Sequence, residues 1–387
     1  MSELVASKPR ATRVLLVTND FGPRAGGIET FIIGLLEGLK KCEVIVYTSK
    51  QELTDAYDRR WLRDFGVRVI RDRTRVLLPT PRVILKLRKV IKSNDIEVIW
   101  FGAAAPLGIA AKWLRIARVK RLIALTHGHE VWWSKLPPFS WLLKFAGKNI
   151  DYFGYLGAYT AKQISRVVPE SKLIKIAPGI DTKHFRRRKT NLKRALKLGN
   201  SPTIVSVGRL VHRKGQDRLI QALPQIKREI PDVKLLLVGE GPYKQELERL
   251  AEQLRLSENV RFMGRVSYAK LPEYLSVGDL FAMPARSRLF GLEVEGLGIV
   301  YLEAAACGLP VIVGNSGGAP DAVIDKKTGF VVDGNDIDEI ALRITYLLKN
   351  RNIRKLMGAA GVKFTNQEWR LKVWSDRFNK LIKGKAY

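Results

Sequence analysis

The sequence predicts an α/β protein of two doubly wound parallel-sheet domains with a ligand cleft between them. Three observations predict it: the length, an alternation of strand and helix patterns, and a restart of that alternation near residue 185. A chain of 387 residues suits two domains better than one. Continuous apolar strands separated by helical patterns call for parallel sheets covered on both faces. At 46% hydrophobic residues, each half has enough apolar material for its own core.

In chain order, residues 13–18 (RVLLVT) read as a buried strand, followed by a glycine-rich turn and a helix over 28–39. Further strands are expected at 43–47, 67–70, 97–101, 121–125 and 152–155, with helical patterns at 82–92 and 107–117. The stretch from Ile176 to Asp181, with the basic run Arg186 to Lys189, reads as an exposed linker. Strands then follow at 203–207, 233–238, 260–262, 279–283, 310–313 and 329–332, and the last fifty residues read as helices. The expected domains are 1–185 and 186–365, with a C-terminal helix over 366–387 returning to the first. Ligands of doubly wound folds bind beyond the carboxyl ends of the strands, so functional motifs should follow strands.

Charge narrows the partners. The formal charge is +31, of which +20 lies in residues 1–190 and +11 in the remainder. Such an excess attracts nucleic acid, anionic lipid or phosphorylated substrates. No helix-turn-helix, zinc or RNA-binding signature accompanies it, so no specific nucleic-acid partner is expected. The N-terminus is basic but lacks an apolar core of the secretory type, and no apolar run is long enough for a membrane span. A cytoplasmic protein is the resulting expectation. Cys42 and Cys307 are too few for a disulfide framework and read as buried free thiols in apolar helices.

Four motifs follow strands. Asn19 to Gly27 (NDFGPRAGG) opens a helix, where Gly26 and Gly27 permit close approach of an anion; a tight turn explains them equally well. Gly208-Arg209 and Lys214-Gly215 place two cations on one loop, suited to a diphosphate and to its stabilisation as a leaving group. The bland alternative is a solvated basic loop. Glu293-Val-Glu295-Gly296-Leu-Gly298-Ile299 precedes a helix whose first amides can meet a phosphate, and Glu303 follows within it. Dipole complementarity accounts for Glu295 but not for Glu303 in an otherwise apolar run, so hydroxyl-rich ligands are favoured. Thr126-His127-Gly128-His129-Glu130 offers one positioned imidazole rather than a metal site. Asp333-Gly-Asn-Asp336, by contrast, reads as a helix cap.

In combination these motifs, with Gly239-Glu-Gly241-Pro, resemble the retaining glycosyltransferases of family 4, whose GT-B architecture has two Rossmann-like domains. The run from Ala285 to Glu303 (ARSRLFGLEVEGLGIVYLE) and the Thr126 motif are similar to the actinobacterial phosphatidylinositol mannoside mannosyltransferases that use GDP-mannose. Leu289-Phe290 departs from that pattern, which has small residues there. The resemblance implies that Arg209 and Lys214 hold the diphosphate, with Gly208 beside them. Glu295 would contact the hexose and Glu303 the ribose, with Gly298 and Ile299 also at the donor. His127 would lie beside the sugar, Gly26 and Gly27 by the phosphates, and Val266, after Arg265, by the base. It implies no metal and no cofactor beyond the donor, and front-face attack with retention of configuration. A related transferase using a UDP-sugar, and a noncatalytic membrane- or polyanion-binding protein, stay open as alternatives.

The acceptor would be a lipid at the inner face of the cell membrane. Two surfaces are candidates for it. Residues 82–92 (RVILKLRKVIK) place Val83, Ile84, Leu87, Val90 and Ile91 on one side and Arg82, Lys86, Arg88, Lys89 and Lys92 on the other. The apolar side reads better as packing on the sheet, leaving the basic side for lipid. Trp132 and Trp133, with Leu136, Phe139 and Trp141, form the second candidate. Oligomeric state is not legible.

Overall fold

The computed structural model describes residues 11–23, 26–128 and 130–385. The basic N-terminal segment read for targeting, Arg24 and Ala25 of the first glycine loop, and His129 lie outside the described residues.

The first half runs β1 (Thr12–Thr18), α1 (Gly27–Glu37), β2 (Cys42–Thr48), α2 (Asp55–Phe65), β3 (Arg68–Arg71), α3 (Pro81–Ser93), β4 (Val98–Phe101) and α4 (Ala111–Leu114). It continues through β5 (Arg121–Leu125), α5 (Glu130–Lys135), α6 (Phe139–Asn149), β6 (Tyr152–Tyr155), α7 (Ala158–Ile164) and β7 (Leu173–Lys175). The second half runs α8 (Leu192–Ala195), β8 (Thr203–Val207), α9 (Gln216–Glu229), β9 (Lys234–Val238), α10 (Lys244–Gln253), β10 (Val260–Gly264), α11 (Leu271–Ser276) and β11 (Leu280–Met283). It ends with α12 (Ile299–Ala306), β12 (Val311–Gly314), β13 (Gly329–Val332), α13 (Ile337–Lys349), α14 (Arg351–Glu368) and α15 (Leu371–Ile382).

Both sheets are parallel. One has seven strands in the order β3-β2-β1-β4-β5-β6-β7, the other six in the order β10-β9-β8-β11-β12-β13. Each order reverses once, between β1 and β4 and between β8 and β11. At such a switch point the flanking loops diverge and leave a crevice beyond the carboxyl ends. The motifs after β8 and β11 therefore flank one crevice by topology alone. The strands read as continuous apolar runs because both faces are covered: Val14 to Val17 and Leu235 to Leu237 are fully buried.

Contacts divide the chain into two compact units. The first holds residues up to Leu156, Thr160–Gly179 and the segment from Lys372 on; the second holds Gly157–Tyr159 and Ile180–Leu371. Within the first unit, Phe378 of α15 packs its ring 4.6 Å from Trp100 of β4. Among the described residues, no helix is long and apolar enough to cross a membrane.

Three sequence expectations need correction. The stretch read as an exposed linker buries Ile176, Ala177, Ile180 and Phe185, and the Ile180 amide donates to Trp369 O at 2.6 Å. Its apolar positions outweigh the turn and charge signals between them. The helix expected over 107–117 is a 3-10 turn, Leu107–Ala110, followed by the single turn α4. Cys42 opens strand β2 and is half-buried rather than sitting in a helix; Cys307, at the end of α12, is buried as expected.

Candidate functional site

The second unit gathers most of the expected residues at the switch point. The loop after β8 turns at Gly208 and passes through a 3-10 turn, His212–Lys214, before Gly215 starts α9. Gly215 has φ +74, and a Cβ there would overlap the Pro284 carbonyl, so the loop lies directly on the segment after β11. The Gly239-Glu-Gly241 motif has a similar origin. Side chains at either glycine would strike the backbone of Gly208 or Leu210, and Leu210 N donates to Glu240 O at 3.0 Å.

This packing turns Lys214 inward. Its Nζ stands 2.8 Å from Glu295 Oε2, with both side chains about nine-tenths buried. Arg213 adds a second cation, 3.8 Å from the same oxygen and 3.9 Å from Glu293. Burial alone would push the Glu295 carboxyl up, but Lys214 and Arg213 outweigh it and hold the group below the ordinary carboxylate value. Arg209, on the same loop, is exposed and makes no ion pair among the described residues. Sequence reading missed Arg213, although it lies within the same basic motif.

Helix α12 begins at Gly298, at φ +74, with no side chain capping its first turn. A Cβ at Gly298 would overlap the Tyr301 ring. Tyr301, buried beneath, donates its hydroxyl to Met283 O at 2.8 Å and fixes the helix start to the end of β11. Tyr301→Phe removes one of two bonds to that carbonyl, which also accepts from Ala285 N at 2.8 Å, and unfolding in urea should report a loss of about 1 kcal/mol. Ile299 and Gly298 are half-exposed at this helix start. Glu303 lies deeper: it is 6% exposed, and burial raises its carboxyl to about 8. Val266 is half-buried just beyond β10, with Arg265 exposed beside it.

A bidentate pair between Arg286 and Asp217, at 2.9 and 2.8 Å, braces the segment after β11 against the start of α9. Asp336 caps α13 by accepting from Glu339 N at 2.9 Å, the capping role expected of the Asp333–Asp336 run. Among the described residues, no group of three or more His, Cys, Asp or Glu side chains could hold a metal ion.

In the first unit, Gly26 forms the N-cap of α1 in extended backbone, and Gly27 opens the helix. Asn19 locks the loop after β1 to the segment after β3 through paired bonds with Leu77, 3.1 and 2.7 Å. His127, half-buried after β5, sets Nε2 2.5 Å from Gly102 O; a carbonyl only accepts, so Nε2 carries a proton. Its amide donates to Glu130 at 2.8 Å, and Phe31 meets the ring edge-on.

The lipid candidates are narrower than the sequence suggests. Val83, Leu87 and Ile91 of α3 are buried on the core. Arg82 and Lys86 both reach Asp72, whose side chain is fully buried and also accepts from Tyr47 and Thr74. That acid needs their charge, which leaves Arg88, Lys89 and Lys92 as the basic residues of the helix without an ion pair among the described residues, beside an exposed Leu85. Trp132 and Trp133 are half-buried and pack on Phe139, while Trp141 is exposed.

Comparison with known proteins agrees with these features. Residues 25–184 match the model described as Glycosyltransferase Family 4, and residues 188–364 the one for glycosyl transferases group 1. A GDP-mannose-dependent alpha-(1-6)-phosphatidylinositol monomannoside mannosyltransferase of Mycobacterium tuberculosis is 42% identical, over 96% of this chain and 98% of that protein. A GDP-mannose-dependent monoacylated alpha-(1-6)-phosphatidylinositol monomannoside mannosyltransferase of Corynebacterium glutamicum is 40% identical, over 96% and 98%. The crystal structure of Anabaena HepE in complex with UDP superposes with a TM-score of 0.80 at 19% identity, covering 96% of this chain and all of that one. That likeness shows the shared fold. With both halves matched and a relative 42% identical over nearly the whole chain, the chain belongs to family 4 of the glycosyltransferases.

Proposed function

We propose that this glycosyltransferase moves mannose from GDP-mannose to a phosphatidylinositol mannoside at the cytoplasmic face of the membrane. The observation that carries the reading is the 42% identity running over nearly the full length of both chains. The buried Lys214–Glu295 pair supplies its chemistry.

In this reading Lys214 and Arg209 bind the diphosphate, with Gly208 close to it. Glu295 neutralises the buried Lys214 ammonium. When the donor binds, the ammonium turns to the phosphate and Glu295 accepts from a mannose hydroxyl. Arg213 keeps that carboxylate ionised meanwhile. Gly298 and Ile299 present amides to the phosphate or sugar, Glu303 accepts from the ribose and Val266 borders the base. The acceptor hydroxyl attacks the anomeric carbon on the face the diphosphate leaves. The C–O bond to phosphate breaks, and the departing oxygen takes the acceptor's proton, so configuration is retained. Cationic side chains and amides carry the leaving-group charge, and the reading requires no metal. Arg88, Lys89 and Lys92 with Leu85 form the basic surface that meets anionic lipid.

Thermal shift tests the donor directly. GDP at a hundredfold excess over its dissociation constant should add about 2.7 kcal/mol of stability. Stabilisation by UDP and not by GDP would replace the donor assignment, and transfer of labelled mannose to the lipid would test the acceptor.

A further inference from the structure

One loop of the second unit exposes two apolar side chains that the donor site leaves unused. Phe290 is completely exposed and Leu289 is 63% exposed. Both stand in the left-handed region, at φ +53 and +50, where an L side chain crowds its own backbone. The loop is not loosely held. Arg288 N donates to Glu293 O at 2.9 Å, Glu293 N returns a bond to Arg288 O at 3.2 Å, and Arg288 Nη1 meets the Glu293 carboxylate at 3.1 Å. A clamped base thus presents two apolar residues to water on strained backbone. Both features cost folding free energy, and among the described residues nothing packs on the tip to offset them.

We propose that Leu289 and Phe290 are an apolar wedge that enters the interfacial layer of an anionic bilayer. The inference rests on the reading that the acceptor is a lipid. Two side chains are far too small for a stable protein interface, which takes about 800 Å² per partner. They suit insertion between headgroups, where an apolar contact works together with charge. The chain supplies that charge, with a net +31 that draws it to anionic lipid. The base of the wedge is also joined to the donor site. Glu293 lies 3.9 Å from Arg213, and Arg213 lies 3.8 Å from Glu295. Seating the wedge therefore brings the donor loop to the surface where a lipid headgroup lies.

The test places an environment-sensitive nitrobenzoxadiazole probe on Phe290→Cys in the full chain. Wild type carried through the same labelling gives the background from Cys42 and Cys307. Vesicles of equal phosphatidylglycerol and phosphatidylcholine should shift the probe to the blue and brighten it. In co-sedimentation, the Leu289→Gly/Phe290→Gly variant should bind these vesicles about tenfold more weakly. Glycine accepts positive φ, so this variant relieves strain and folds. A probe that stays in water while the protein sediments, a double variant that binds as tightly as wild type, or a wild type that ignores vesicles would each overturn the wedge. The GDP thermal shift is read in parallel. An intact shift with an unmoved probe defeats the wedge alone, and a moved probe supports it whatever the shift.

Discussion

Lys214→Ala should lower kcat for mannosyl transfer by about 10²–10³ if the ammonium carries leaving-group charge. The same change removes the nearest partner of a carboxylate whose side chain is about nine-tenths buried. Lys214 is the largest of the charges that hold the Glu295 pKa down against burial, so its loss moves that pKa upward and leaves Arg213 as the remaining counter-charge. Breaking a buried pair by removing one partner costs about 3–5 kcal/mol, so lost activity alone would be ambiguous. The double variant Lys214→Met/Glu295→Gln resolves it. It removes both charges at nearly constant volume, and denaturant midpoints should return close to wild type. Activity should stay lost, because neither methionine nor glutamine can neutralise a diphosphate. Recovery of transfer along with stability would show that the pair only holds the loop, and the proposed chemistry would fail.

Which parts of this site could be read from the chain follows from how local each signal is. Buried parallel strands such as β5, β6, β8 and β13 are continuous apolar runs, and the structure places them at the expected residues. Strand β7 has only three half-buried residues, Leu173–Lys175, and helix α2 buries Trp61 alone, so neither rises above the loop pattern. Glu303 is visible because an acid inside an apolar helix has no other explanation. Arg213 is invisible in the basic run His212–Lys214, where sequence cannot say which cation turns inward. The Asp72 cluster is harder still. Its partners Tyr47, Arg82 and Lys86 stand 25, 10 and 14 residues away, and only the β2–β3 pairing and the placement of α3 assemble them. Contacts of that kind depend on tertiary packing, which periodicity does not encode.

Glu303→Gln should make the ligand-free protein more stable than wild type in mildly alkaline solution, with a gain that disappears in acid. Burial raises the folded carboxyl from 4.5 to about 8, favouring its neutral form. Below the unfolded pKa both states are protonated, and the full stabilising contribution of the neutral acid is present. As pH rises, the unfolded chain loses the proton first, so wild type loses stability by about 1.4 kcal/mol per pH unit up to the folded pKa. Glutamine cannot titrate. The difference between the two proteins should therefore grow from about pH 5 to about pH 8, reach a few kcal/mol, and level off. Denaturant midpoints for both across this range measure it; a flat difference would mean that the folded carboxyl ionises like an exposed one. The same series tests the ribose contact. A carboxylate accepts from two hydroxyls, whereas a protonated acid gives up one of those positions, so GDP should favour the ionised form. Stabilisation of wild type by GDP should then increase towards pH 8 while that of Glu303→Gln stays level. If both respond alike, Glu303 is a buried acid within α12 and the ribose is held elsewhere.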